Sequence, residues 1–129
     1  STRVFSLPHA ATVMQAWRLL AERDLGQAPV INEDDRLVGL MLRADLLPSP
    51  TQDAQAWRTL LTQPVTELMW SPVPAVSPET DIRRVAQVLL GMRLPGLPVI
   101  GTQGTVIGFI SRSDILRAVA NDPPLDLWT

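Results

Sequence analysis

Apolar residues along the first third of the chain follow two spacings, which predict a helix and then two strands. The spacing of one helical face recurs after Thr12, an expected N-cap, in five residues: Val13, Ala16, Trp17, Leu20 and Ala21. Gly26 and Pro29 are expected to end this helix. The short apolar runs 28–31 and 37–42 are typical of buried strands, and the polar residues between them predict a hairpin.

The same pattern returns 69 positions later, because residues 8–47 align with 77–116 without a gap. Nine of the forty aligned pairs are identical: Leu20/Leu89, Leu25/Leu94, Pro29/Pro98, Val30/Val99, Ile31/Ile100, Gly39/Gly108, Arg43/Arg112, Asp45/Asp114 and Leu47/Leu116. In the second copy, Ser77 or Thr80 should open the first helix and Ser111 should cap the last. A fixed period of this length indicates one supersecondary unit used twice.

Each copy is predicted to be a β-α-β-β-α unit, since the stretches 4–7 and 73–76 look extended and a second helix should begin near Arg43. The fold class is therefore α/β (α+β), with the two repeats packed pseudo-symmetrically through their sheets, because strands this short cannot bury an apolar face alone. The expected domains are 1–50 for the first repeat, 51–64 for a linker with a helix over 53–61, 65–122 for the second repeat, and 123–129 for a tail.

Composition excludes several classes of function. The chain has 129 residues, a net charge of −2 and no cysteine, so it carries neither a basic footprint for nucleic acid nor thiolate metal ligands. Its single histidine, His9, leaves a histidine-centred catalytic or metal site without a second member. No apolar run is long enough to span a bilayer. We expect no enzyme, no metal site and no direct membrane insertion.

The candidate chemistry lies at Asp45 and Asp114, which hold equivalent positions just inside the second helix of each repeat. Each follows a strand glycine, Gly39 or Gly108, which lets a ligand or a backbone segment approach closely. Ser111 opens the last helix, whose N-terminal N–H groups suit phosphate. An aspartate one turn further along can accept hydrogen bonds from two ribose hydroxyls. The structural alternative is that Ser111 is an ordinary N-cap and Asp114 an acid in the first turn.

These motifs resemble the cystathionine-β-synthase (CBS) domain, and their duplication resembles a tandem CBS pair, or Bateman module. The resemblance rests on residues 97–100, on 106–116 and on the lead-in 65–69. It covers essentially all of residues 4–120. Such modules bind adenine nucleotides or S-adenosylmethionine between their repeats and regulate an attached or partner protein.

The resemblance implies a main and a second binding site. The signature of glycine, then a hydroxyl residue, then aspartate is complete in the second repeat, as Gly108, Ser111 and Asp114, with Ser113 also facing phosphate. Its base-side positions are Phe5, Leu25 and Gln27. In the first repeat Leu42 replaces the hydroxyl residue. The degraded second site would therefore contain the following four residues: Gly39, Asp45, Pro74 and Gly96.

The expected function is regulatory sensing of AMP, ADP, ATP or S-adenosylmethionine, with no required cofactor. The alternative is a scaffold that binds no ligand and serves dimerisation or docking of a partner. A small enzyme is a third hypothesis, but the sequence contains no Ser–His–Asp set, metal cluster or phosphate-binding loop to support it. We expect a homodimer, in the cytoplasm or as the cytoplasmic domain of a larger protein, a membrane protein included. Trp57, Trp70 and Trp128 lie outside the aligned repeats and suggest burial against a partner.

Overall fold

A computed structural model describes residues 4–46, 53–92 and 94–121, and these residues form two compact units. The first unit runs from Phe5 to Val73. The second contains Val4 and the described residues from Pro74 onward. The predicted boundary between residues 50 and 51 and the predicted tail 123–129, which contains Trp128, lie outside the described residues.

The first unit contains a three-stranded sheet and two α-helices. The strands are β1 (Leu7–Pro8), β2 (Gln27–Ile31) and β3 (Leu37–Leu42), in the order β1-β2-β3. Strand β1 is parallel to β2, and β2 is antiparallel to β3, as in the predicted hairpin. The helices are α1 (Val13–Glu22) and α2 (Ala54–Leu61), with 3₁₀ helices at Arg43–Leu46 and Val65–Glu67.

Helix α1 begins where the sequence predicts. The Thr12 hydroxyl accepts from the Gln15 N–H, and the Gln15 side chain accepts from the Thr12 N–H, which completes a capping box. Trp17 is a correction: it is 42% exposed, although its spacing assigns it to the core. The buried residues of α1 are Val13, Ala16 and Leu20, so Trp17 lies at the rim of the apolar face, where its large indole extends into solvent.

The end of α1 is set by Asp24 rather than by Gly26. Asp24 takes a φ of 52°, the left-handed conformation that commonly follows a helix and that aspartate tolerates better than most residues. The Leu25 N–H then donates back to the Leu20 carbonyl at 2.9 Å. The left-handed residue that ends the helix is therefore Asp24, two residues before the predicted Gly26.

The second unit repeats this arrangement with α3 (Ile82–Met92), β4 (Gly96–Ile100), β5 (Val106–Ser111) and α4 (Arg112–Asn121). Val76 forms a parallel bridge to Val99, where β1 pairs with β2 in the first unit. Helix α3 is opened by Asp81, whose carboxylate accepts from the Arg83 N–H at 2.8 Å, and not by Ser77 or Thr80. Ser77 and Thr80 bond to each other in the preceding turn.

The two hairpins have the same register, so the sequence repeat is also a structural one. Val30 pairs with Gly39 and Val99 with Gly108, and a bulge follows each pair at the next residue. Both turns contain one residue with positive φ at equivalent positions, Asp35 at 62° and Gly104 at 78°.

The second helix of the first repeat is a correction. The sequence predicts a helix from Arg43 that matches α4, but the structure has a 3₁₀ helix of four residues, Arg43–Leu46. Leu42 offers no hydroxyl to cap the first turn, and residues 47–52 lie outside the described residues. The repeat therefore predicts where this turn begins but not that its described residues form a 3₁₀ helix.

The insert between the repeats covers one end of α1. Asp53 caps α2 by accepting from the Gln55 N–H at 3.0 Å. After α2, the chain pairs with the start of α1: the Val13 N–H donates to the Gln63 carbonyl and the Val65 N–H to the Ala11 carbonyl, both at 2.8 Å. Val65 is fully buried in the core of the first unit, and Leu61 packs against that core.

Candidate ligand-binding site

Asp114 and Ser111 form a reciprocal hydrogen-bonded pair at the start of α4. The Ser111 N–H donates to Oδ2 of Asp114 at 2.8 Å, and the Asp114 N–H donates to the Ser111 hydroxyl at 3.1 Å. This is the capping geometry of the structural alternative, because both side chains satisfy N–H groups at the helix N-terminus. It also fixes the carboxylate in one orientation.

The second oxygen of Asp114 accepts a short hydrogen bond from the Arg117 guanidinium, one turn further along α4. The pKa of Asp114 is lowered, chiefly by the hydrogen bond from the Ser111 N–H. Partial burial acts in the opposite direction, while the Ser111 hydroxyl and Arg117 lower the pKa further. Asp114 is therefore ionised at neutral pH and is available as an acceptor, since its side chain is 40% exposed.

Gly108 lies three residues before Ser111 on β5 and leaves space at its own position. A Cβ built on Gly108 would meet only its strand partner Val99 within 4 Å among the described residues, with the nearest atom at 3.4 Å. Ser113 is exposed at the second position of α4. Arg112 is not turned toward this space, because its guanidinium donates to the carbonyls of Leu89 and Leu94, both at 2.8 Å.

The three predicted base-side residues belong to the first unit. The ring of Phe5 is covered by the Arg23 guanidinium, whose central carbon lies 4.2 Å from the ring centroid. Leu25 is half-buried against the core. Gln27 begins β2, and its Oε1 atom is buried without a hydrogen-bond partner among the described residues. Such an acceptor is uncommon in a folded protein and calls for a donor.

The equivalent aspartate of the first repeat has a different partner. With Leu42 in place of the capping serine, Oδ2 of Asp45 accepts from Nε1 of Trp70 at 2.8 Å. The space beside Gly39 is filled as well: a Cβ there would lie 2.3 Å from Sδ of Met69 and 3.0 Å from the Trp70 carbonyl oxygen. Gly39 therefore admits a segment of the protein itself.

The two remaining residues of the predicted second site, Pro74 and Gly96, lie in the second unit. Pro74 is half-buried, while Gly96 is buried at the start of β4 and pairs with Ser111. The four residues assigned to this site thus divide between the two units, with Gly39 and Asp45 in the first.

A scan against protein families matches the CBS domain model twice, at residues 1–49 and 65–121. This chain belongs to the CBS domain family. The two matches, with the shared hairpin register, show a tandem CBS pair with a mixed α+β fold. The second match begins at residue 65, although residues 65–73 pack within the first compact unit.

The relatives of this chain differ in how much of their own length the CBS pair occupies. The chain is 32% identical over 131 residues to the CBS domain-containing protein CBSX1, chloroplastic, of Arabidopsis thaliana, covering 83% of this chain and 55% of that protein. It is 29% identical over 122 residues to the A-adding tRNA nucleotidyltransferase of Aquifex aeolicus, covering 95% of this chain but 14% of the enzyme. The chain thus spans about half of the first protein and a small part of the second.

Among solved structures, the pair is similar to CBSX2 of Arabidopsis thaliana in complex with AMP. The TM-score is 0.77 at 27% identity, and the match covers 92% of this chain and 89% of the other. That relative binds AMP.

Two further chemical findings concern the described residues. No group of three or more histidine, cysteine, aspartate or glutamate side chains is placed there to hold a metal ion. Across the same ranges, no helix has both the length and the apolar character required to cross a membrane.

Sequence reasoning missed two residues that contact the candidate aspartates, Arg117 and Trp70. The spacing of Arg117, three residues after Asp114 on a predicted helix, is a usable signal for an ion pair. The Trp70 contact joins residues 25 positions apart, and no periodicity in the sequence announces it.

Proposed function

We propose that this CBS pair is a regulatory module that binds an adenosine-containing ligand at the second repeat, with Asp114 as the acceptor for the ribose hydroxyls. The observation that carries the proposal is the fixed, ionised and partly exposed carboxylate of Asp114, which follows by six residues a strand glycine, Gly108, that only Val99 approaches within 4 Å among the described residues. A carboxylate has about four lone-pair positions, and two are used by Ser111 and Arg117. Two therefore remain for vicinal hydroxyls.

The first phosphate of the ligand is proposed to lie at the N-terminus of α4. The first N–H groups of a helix have no partner within it, and the helix dipole favours an anion there. The Arg112 and Asp114 N–H groups are already bonded to Pro95 and Ser111, so Ser113 offers the backbone donor and the exposed hydroxyl. The Arg117 guanidinium adds positive charge one turn further along α4.

The family pattern assigns the base to Phe5, Leu25 and Gln27, and one feature of Gln27 supports this assignment. Its buried Oε1 lacks a donor among the described residues, and the exocyclic amino group of adenine is a donor of the right kind. The Arg23 guanidinium lies over one face of the Phe5 ring, so an adenine would stack on the opposite face or displace Arg23.

AMP is the first ligand to test, because the 27%-identical relative CBSX2 has been solved with AMP. ADP, ATP and S-adenosylmethionine share the adenosine group that the proposed contacts recognise, and we propose them as alternatives. We propose no cofactor requirement and no catalytic role. The controlled protein would be an attached domain or a separate partner, and the cytoplasmic location stays a prediction.

We also propose a homodimer, because several large apolar side chains of the described helices are exposed. Met14 and Trp17 project from α1, and Leu116 of α4 is 69% exposed. A small module gains apolar burial by twofold association. Light scattering over a range of concentrations should give the dimer mass, and a monomer mass at every concentration would contradict this part of the proposal.

A thermal-shift panel with AMP, ADP, ATP and S-adenosylmethionine tests the ligand. At a concentration of about 100 times Kd, selective binding to the folded state stabilises it by about 2.7 kcal/mol. For a chain of this size the melting temperature should rise by roughly 5–10 °C. Uridine monophosphate, which keeps the ribose and phosphate but lacks adenine, is the matched control and should give a smaller shift. No shift with any adenosine compound would favour the scaffold that binds no ligand.

A further inference from the structure

The segment that leads into the second repeat runs along β3 of the first unit. The Leu40 N–H donates to the Trp70 carbonyl at 2.9 Å, and the Trp70 N–H donates to the Leu40 carbonyl at 2.8 Å. One residue later, the Ser71 hydroxyl donates to the Val38 carbonyl at 2.9 Å. Both the N–H and the carbonyl of Trp70 are therefore bonded to β3.

This backbone position directs the Trp70 indole to Asp45. Nε1 donates to Oδ2 of Asp45 at 2.8 Å, so an N–H of the protein itself is bound by the carboxylate that the family pattern assigns to ribose. Asp114, at the equivalent position, accepts instead from the Ser111 N–H of its own helix cap and from the Arg117 guanidinium, and its side chain is 40% exposed. Leu42 accounts for the difference, since it leaves Asp45 without a capping partner.

The adjacent glycine gives a second, independent observation. Sδ and Cγ of Met69 would lie 2.3 and 2.8 Å from a Cβ on Gly39, so Met69 occupies the space that a glycine strand would leave for a ligand. On the equivalent face of Gly108, no atom except those of Val99 comes within 4 Å among the described residues. The first repeat is therefore filled where the second is open.

We propose that Met69 and Trp70 close the first-repeat site, so that each chain binds one adenosine ligand, at the second repeat. Trp70 is the residue that determines this selectivity, because its indole N–H takes the place of a ribose hydroxyl at Asp45. The inference rests on the proposed function and adds to it the number of ligands and the residue that sets that number.

Calorimetric titration with AMP tests the closure. The wild-type protein should bind one AMP per chain. The double variant Met69→Ala/Trp70→Ser removes both side chains that close the site and should raise the stoichiometry to two, with the new site at least tenfold weaker because Leu42 lacks the hydroxyl. Adding Asp45→Ala to this double variant should return the value to one. Trp70 is 43% exposed, so its removal should leave the protein folded, which far-UV circular dichroism checks.

A second readout follows the contact without any ligand. In a ¹H–¹⁵N spectrum, Trp70→Phe identifies the indole resonance of Trp70 by its loss. Asp45→Ala should shift that resonance, whereas Asp114→Ala should leave it in place. An unmoved resonance in Asp45→Ala would show that the hydrogen bond does not form in solution and would overturn the proposal.

The outcomes separate this inference from the proposed function. Two AMP molecules on the wild-type chain, or one on both the wild type and Met69→Ala/Trp70→Ser, would contradict the closure and leave ligand binding intact. No AMP on either protein would contradict both proposals.

Discussion

Replacing Gly39 with alanine should destabilise the protein, whereas the same replacement at Gly108 should not. The two glycines are 69 positions apart and hold the same register, each opposite a valine. A methyl group on Gly39 would lie 2.3 Å from Sδ of Met69 and 3.0 Å from the Trp70 carbonyl oxygen, while one on Gly108 would lie 3.4 Å from Val99. Only at Gly39 would neighbouring atoms have to move to make room for the methyl group.

The size of the destabilisation depends on whether Met69 and Trp70 can move away from the new methyl group. Met69 could rotate, but it packs against the core, and Trp70 is held by two backbone hydrogen bonds to Leu40. Overpacking of this kind costs about 1–3 kcal/mol. Either alanine also restricts the unfolded chain, which stabilises by about 0.4–1 kcal/mol. Gly39→Ala should therefore lose roughly 1–2 kcal/mol net, and Gly108→Ala should change stability by less than about 1 kcal/mol.

Urea denaturation followed by far-UV circular dichroism measures both variants. Met69→Ala should be less destabilising in the Gly39→Ala background than in the wild type, because it removes the two atoms in closest approach. Equal changes at Gly39 and Gly108, or no coupling with Met69, would refute the reasoning.

Three further predictions concern the second repeat and its proposed ligand. Ser111→Ala removes the N-cap of α4 and should lower the free energy of unfolding by about 1 kcal/mol, as measured by urea denaturation, with Ser113→Ala as the neutral control. The lowered pKa of Asp114 means that its stabilising contribution is complete above about pH 4 and is lost as the pH falls through the folded-state pKa. The stability deficit of Asp114→Asn should therefore be largest near neutral pH and shrink in acid; a constant deficit would contradict this. Gln27→Leu removes a buried acceptor that has no partner among the described residues, so the melting temperature of the free protein should rise. The same change should reduce the increase in melting temperature that AMP causes. A lower melting temperature of the free protein would contradict this prediction, because it would mean that Gln27 has a hydrogen-bond donor within the protein.

Most of the fold is predictable because the same local sequence signals occur in both repeats. The Thr12 cap, the hairpin bounds at Leu37–Leu42 and the α2 helix after Asp53 all depend on short-range signals that the sequence contains. The alignment also indicates the N-cap of α3, because Asp81 is aligned with the N-cap Thr12. The prediction of Ser77 or Thr80 instead followed the preference of helix starts for hydroxyl residues.

The remaining features depend on contacts between residues distant in sequence or on side-chain size. Trp17 has the spacing of a core residue, and only the dimensions of the helix interface place it at the rim. Asp45 and Asp114 are identical in the alignment, yet their partners differ because Leu42 and Ser111 differ. The approach of Met69 to Gly39 joins residues 30 positions apart and has no local signature.

The central claim is that the second repeat binds an adenosine ligand through Asp114, and calorimetric titration of AMP into Asp114→Ala and Asp45→Ala tests it most directly. Charge-assisted hydrogen bonds to a carboxylate are worth about 1.5–3 kcal/mol, so Asp114→Ala should weaken binding roughly tenfold to a hundredfold. Asp45→Ala should leave the affinity within about twofold of the wild type, because its carboxylate binds Trp70. Both variants should remain folded by circular dichroism at the titration temperature. Equal losses in the two variants, or wild-type affinity in Asp114→Ala, would contradict the account.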